Sequence, residues 1–119
     1  MDKMERHNDE VVRKSWNFSG RLDTKEKNEQ NALVGLAAEA GELLDIGKKK
    51  WFHDPKPDGF YAPKYLSELG DVAYYFLAAL NELGFTLDEV LEYNRKKLAS
   101  RHPELGEVTE RFGATAIKG

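Results

Sequence analysis

The sequence predicts an all-α protein, a bundle of four to five helices, and three observations carry that expectation. Valine and isoleucine are sparse, and no stretch alternates apolar with polar residues as a half-buried strand would. Apolar residues instead recur at helical spacing in successive segments. Prolines and glycines punctuate those segments where helices would end.

The first predicted helix covers residues 2–18, with Val11, Val12, Trp16 and Phe18 as its apolar residues, and Ser19-Gly20 ends it. The second opens at Asp23, where Asp23 and Glu26 have the spacing of a capping box, and runs towards Trp51. Its apolar stripe is Leu33, Leu36, Ala40, Leu43 and Leu44. Residues 53–59 hold two prolines and a glycine and read as a breaker. The third helix covers residues 63–83. Pro63 is expected in its first turn, Gly84 just past its end, and Leu66, Leu69, Val72, Ala73, Phe76 and Leu80 along its stripe. Thr86 and Glu89 repeat the capping-box spacing and open a fourth helix to about Arg101, before Pro103. Residues 104–119 are a weakly patterned tail. The whole of 1–119 reads as one domain with a core at about 25–103.

Composition narrows the function. A net charge of −3 argues against general nucleic-acid binding, which needs a basic footprint. With no cysteine there is neither a disulfide nor a Cys-ligated metal. The charged start shows no signal peptide and no run is apolar enough to span a bilayer, so a cytoplasmic location is expected.

Four acidic residues sit beside the apolar stripes. Glu39 falls next to Leu36, Leu43 and Ile46, with Glu42 one turn on. On the third helix Glu68 lies at the stripe's edge, and Asp71 follows one turn later. One such pair is ordinary on a solvated face. Two pairs, each flanking an apolar stripe on consecutive helices, are not. Packed antiparallel, the helices would gather four carboxylates that repel one another and resist desolvation, and a hard divalent cation, magnesium or manganese, would resolve that conflict. A carboxylate di-iron bundle would want Glu-x-x-His, but Met4, Lys50 and Ala99 stand three residues before the histidines.

The fourth helix carries cations. Leu87, Val90, Leu91 and Leu98 form its apolar face, Asn94 falls within that face, and Lys97 and Arg101 flank it. Phosphate suits all three groups, and Lys49 projects on nearly the same side of its helix as Glu42, two turns on. Acids for metal, bases for phosphate and the lack of a Walker loop point to phosphate-ester hydrolysis on a helical scaffold.

Asn31-Ala-Leu-Val-Gly-Leu-Ala-Ala-Glu39-Ala-Gly-Glu42, Glu68-Leu-Gly-Asp71-Val-Ala-Tyr-Tyr and Asn94-Arg-Lys-Lys97-Leu-Ala-Ser-Arg101, in this order, resemble the motifs of MazG-like pyrophosphohydrolases. The resemblance covers roughly residues 25–103. It implies a homodimer or dimer of dimers that cleaves a nucleoside triphosphate to the monophosphate and pyrophosphate with Mg2+, Mn2+ being a substitute. It implies metal ligation by Glu39, Glu42, Glu68 and Asp71, with Glu39 or Glu42 activating water. Phosphate contacts fall to Asn94, Lys97, Arg101 and Lys49, and nucleotide contacts to Asn31 and Trp16, the last being equally a core residue. Two other readings stand beside it: a catalytically silent nucleotide-binding or assembly module, and a purely structural helical dimer.

Overall fold

The computed structural model describes residues 2–105, and the expected tail beyond Leu105 lies outside them. Among the described residues there is no strand, so the all-α expectation holds. The chain forms two compact units, one from Met1 to Gly84 and one from Phe85 onward.

Three helices make the first unit. Helix α1, residues 3–20, starts at a reciprocal cap in which Asp2 accepts from the Glu5 amide at 2.8 Å and Glu5 accepts from the Asp2 amide at 3.1 Å. Two wide π-type turns, Asn8–Val12 and Trp16–Gly20, interrupt it, and Arg21 in extended conformation ends it.

Helix α2, Lys25–Lys48, continues through a π-type turn, Lys49–His53. Its cap is Thr24, not the expected Asp23. The Thr24 hydroxyl accepts from the Lys27 amide at 3.1 Å, and lysine at that position cannot return the bond. Asp23 instead pairs with the Lys27 ammonium at 3.1 Å.

Helix α3, Asp58–Leu83, begins five residues earlier than expected, after Pro57. Pro63 therefore lies inside the helix and leaves the Gly59 carbonyl without its usual i+4 donor. Gly59 is exposed, so water can serve that carbonyl. Gly84 closes α3 at φ 79°, a left-handed conformation that favours glycine.

Contacts between α2 and α3 run in opposite order along the chain. Ala32 clusters with Ala78 and Ala79, Gly35 lies against Tyr75, and Glu39 meets Glu68 and Asp71. The two helices are therefore antiparallel. A side chain at Gly35 would overlap the Tyr75 ring, so glycine permits this close approach.

The packed faces differ from the expected stripes. Leu33 is 46% exposed and Leu66 71%, and Leu44 and Leu69 are also exposed, whereas Ala32, Leu77, Ala78, Ala79 and Leu80 are buried. Small residues let the helix axes approach, and the larger leucines are left on uncovered flanks. The face of α2 that meets α3 contains Ala32, Gly35 and Glu39, about one position round from the leucine stripe. On α3, Tyr61, Glu68, Tyr75 and Glu82 recur at sevenfold spacing, which keeps them in one line facing a partner helix.

Trp16 locks α1 onto this pair. Its indole packs with Ala32, Ala78 and Ala79, and edge-to-face with Tyr75 at 6.1 Å. The indole N–H donates to buried Glu82 at 2.6 Å, and the Arg21 guanidinium lies 3.4 Å from the same carboxylate oxygen. A buried carboxylate is thereby both hydrogen-bonded and charge-paired.

In the second unit, helix α4, Leu87–Arg101, has the expected Thr86–Glu89 capping box, with bonds of 3.1 Å and 2.9 Å. A 3-10 turn, Pro103–Leu105, follows it.

Candidate metal centre and groove

The rotation of the packed faces brings acidic side chains into the α2–α3 seam. Glu39 comes from the middle of α2, and Glu68 and Asp71 from successive turns of α3. One carboxylate oxygen from each lies within 4.8 Å of the other two. Glu39 and Glu68 are half-buried and Asp71 is exposed, so the cluster opens to solvent on the Asp71 side.

Glu68 Oε2 is buried and has no hydrogen-bond partner. An acceptor taken out of water without a donor is costly. The electrostatics tell the same story at Glu39. Its carboxyl is held above the usual carboxylate range by partial desolvation, then by a proton-sharing contact with Glu68, then by the charges of Asp71, Glu68 and Glu42. Two arrangements relieve this congestion. The acids can share a proton, or a cation can sit among their oxygens. Three hard carboxylates, one with an orphaned oxygen, suit an oxygen-seeking divalent ion.

Glu42 stands outside the tight trio, although its charge reaches Glu39. It lines a groove of about 740 Å³ that also takes in Glu68, Asp45, Lys49, Tyr61 and Lys64. Lys49 pairs with Asp45 at 3.0 Å, one turn away on α2. That bond and the Asp45 charge raise the Lys49 ammonium pKa, partial desolvation opposes the rise, and Glu42 adds to it. The buried Tyr61 hydroxyl donates to the Asp54 carbonyl and so ties the α2–α3 connection to the groove wall.

Within the first unit, the remaining candidates Asn31 and Trp16 make packing contacts. Asn31 is half-buried, and its amide donates to the Gly20 carbonyl at 3.0 Å, which fastens α2 to the end of α1. Trp16 is only 2% exposed and serves the core, with its N–H engaged by Glu82. On α4, Asn94 is exposed. Lys97 and Arg101 line one shallow concavity of about 350 Å³ with Tyr93, Lys96 and Ser100.

Tyr61 and Lys64 were not singled out from sequence. A signal existed for both: Tyr61 stands seven residues and Lys64 four residues before Glu68, on the same side of a helix.

No curated protein and no solved structure matches the chain. A family model does match: the MazG nucleotide pyrophosphohydrolase domain, over residues 27–106. The matched span includes all four acidic candidates and the cationic helix. The chain belongs to the MazG nucleotide pyrophosphohydrolase domain family.

Proposed function

We propose that this protein hydrolyses nucleoside triphosphates, ribo- or deoxyribo-, to the monophosphate and pyrophosphate, with Mg2+ held by Glu39, Glu42, Glu68 and Asp71 and Mn2+ able to replace it. The observation that carries this reading is Glu68: a carboxylate on the helix-facing line of α3, with an orphaned oxygen, within 4.8 Å of Glu39 and Asp71. When bound, the cation supplies charge stabilisation to phosphoryl oxygens and lowers the pKa of an attacking water.

The chain's own groups divide the remaining work. Glu39, Glu68 and Asp71 form the core of the anionic seat, and Glu42 completes it from the groove wall. Glu39 or Glu42 orients the water and takes its proton. Lys49 faces the same groove and draws the phosphate chain along it. Asn94, Lys97 and Arg101 give a second set of phosphate donors on α4, and Asn31 a nucleotide contact near the end of α1. Trp16 contributes by fixing α1 against α2 and α3.

One catalytic domain with a core at 25–103 accords with the matched span. Assembly as a homodimer or dimer of dimers is supported by Leu33, Val34, Leu44, Leu66 and Leu69, large apolar side chains exposed on the two longest helices. Among the described residues no helix is long and apolar enough to cross a membrane. A cytoplasmic role in clearing surplus or modified nucleotides is part of this proposal, and the family match supports it.

A panel of ribo- and deoxyribonucleoside triphosphates, assayed for monophosphate and pyrophosphate with magnesium and with chelator, tests the reading. Release of orthophosphate alone, or no turnover by folded protein, would reject it in favour of a different hydrolase or a silent binding module.

A further inference from the structure

The groove carries two lysines, Lys49 and Lys64, among four acids, Glu42, Asp45, Asp54 and Glu68. Along α2 the order is Glu39, Glu42, Lys49, and along antiparallel α3 it is Asp71, Glu68, Lys64. Both lysines therefore stand on the side of the carboxylates nearer the α2–α3 connection, and both line the groove with Glu42 and Glu68. Their situations differ. The Lys49 ammonium is matched by Asp45 at 3.0 Å. The Lys64 ammonium rests over the Phe60 ring, 5.3 Å from its centroid. A cation on an exposed aromatic face gives up only a weak contact when an anion arrives.

We propose that Lys64 is a phosphate-binding residue that holds the leaving pyrophosphate, with Phe60 positioning its ammonium in the empty groove. Lys64 is one helical turn from Glu68, an axial step of about 6 Å. That step matches the span of two linked phosphates with their oxygens, so one pyrophosphate reaches from the carboxylate seat to the Lys64 ammonium. The nucleoside then points the other way along α2, towards Asn31. A diphosphate chain bound in the same sense loses the group that Lys64 holds, so Lys64 also sets the preference for triphosphates over diphosphates. This assignment rests on the hydrolase reading for its substrate but concerns a separate binding event.

The test is calorimetric titration of the full chain with inorganic pyrophosphate in the presence of magnesium, for wild type, Lys64→Met and Lys64→Arg. Methionine keeps the apolar stem against Phe60 and removes the charge. We expect Lys64→Met to weaken pyrophosphate binding about tenfold, and Lys64→Arg to remain within about threefold of wild type, because a charge-assisted bond is lost in one and kept in the other. Magnesium binding without pyrophosphate and the melting temperature should match wild type in both. In steady-state assays the loss should appear in KM for triphosphates, with KM for diphosphates nearly unchanged. Equal pyrophosphate affinity in wild type and Lys64→Met overturns the assignment, as does the absence of pyrophosphate binding by folded wild type. If wild type binds pyrophosphate through Lys64 yet turns over no nucleotide, the anion site stands and the reaction reading alone fails.

Discussion

Carboxylate oxygens of Glu39 and Glu68 come within 4.8 Å of each other across the seam between the two longest helices, with Asp71 as the third member of the cluster. Like charges half-removed from water oppose each other and the fold, unless a proton or a cation joins them.

The first prediction is a pH dependence. Glu39 has a folded-state pKa raised above its unfolded value, so the native chain binds more protons than the unfolded chain between the two values. The protonated site favours the fold most below the ordinary carboxylate range. That contribution is lost as pH rises through the raised Glu39 value. Thermal melts in chelator should therefore show stability declining across that window, and Glu39→Gln should flatten the decline. A profile unchanged by Glu39→Gln contradicts the coupling.

A second prediction concerns the cation. Magnesium or manganese should raise the melting temperature, by an amount equivalent to about 2.7 kcal/mol when free metal is a hundredfold above its dissociation constant. Glu68→Gln and Asp71→Asn should abolish most of the gain, and chelator should reverse it. A melting temperature indifferent to both metals would remove the metal centre.

Much of this arrangement is legible in the sequence. The capping spacing of Thr86 and Glu89 marks the start of α4, and paired acids beside apolar stripes point to Glu39, Glu68 and Asp71, which cluster, and to Glu42, which stands outside that trio. The packed face is harder to read. Helical periodicity assigns burial to the bulkiest apolar side chains, yet α2 and α3 meet through Ala32, Gly35, Ala78 and Ala79 and leave Leu33 and Leu66 outside. That choice depends on how closely two axes approach, which one helix's pattern does not encode. The same limit misplaces the α2 cap, because Asp23 and Thr24 both satisfy local preferences and the backbone turn decides between them. On α4 the pattern is amphipathic, yet Leu91 and Leu98 are exposed together with Asn94.

The close approach at Gly35 yields a third prediction. Gly35→Ala gains intrinsic helix propensity but drives a methyl into the Tyr75 ring. Overpacking should win and destabilise the protein by about 1–3 kcal/mol in denaturant titration. The double variant Gly35→Ala, Tyr75→Leu should recover part of the loss. Stabilisation by the single change would show that the helices separate freely.

The Trp16–Glu82 bond gives a fourth. Trp16→Phe keeps an aromatic ring in the core but takes the N–H donor from a buried carboxylate that Arg21 alone then serves at 3.4 Å. A loss of about 1–3 kcal/mol is expected from chemical denaturation, from the unmet acceptor together with the smaller ring. Trp16→Phe with Glu82→Leu should be less harmful than the single change, because both polar partners leave together. If the single change costs nothing, Glu82 does not depend on the indole.

The central claim is that Glu39, Glu68 and Asp71 form a metal seat that drives pyrophosphate release. Its most direct test is the initial rate of pyrophosphate formation from saturating nucleoside triphosphate, titrated with magnesium, for wild type and Glu68→Gln. The account predicts magnesium-dependent release with monophosphate as co-product in wild type. It predicts a fall of at least about a hundredfold in Glu68→Gln, on the scale of losing one electrostatic group at a reacting phosphate. Equal rates in the two proteins, or release that persists in excess chelator, would contradict it.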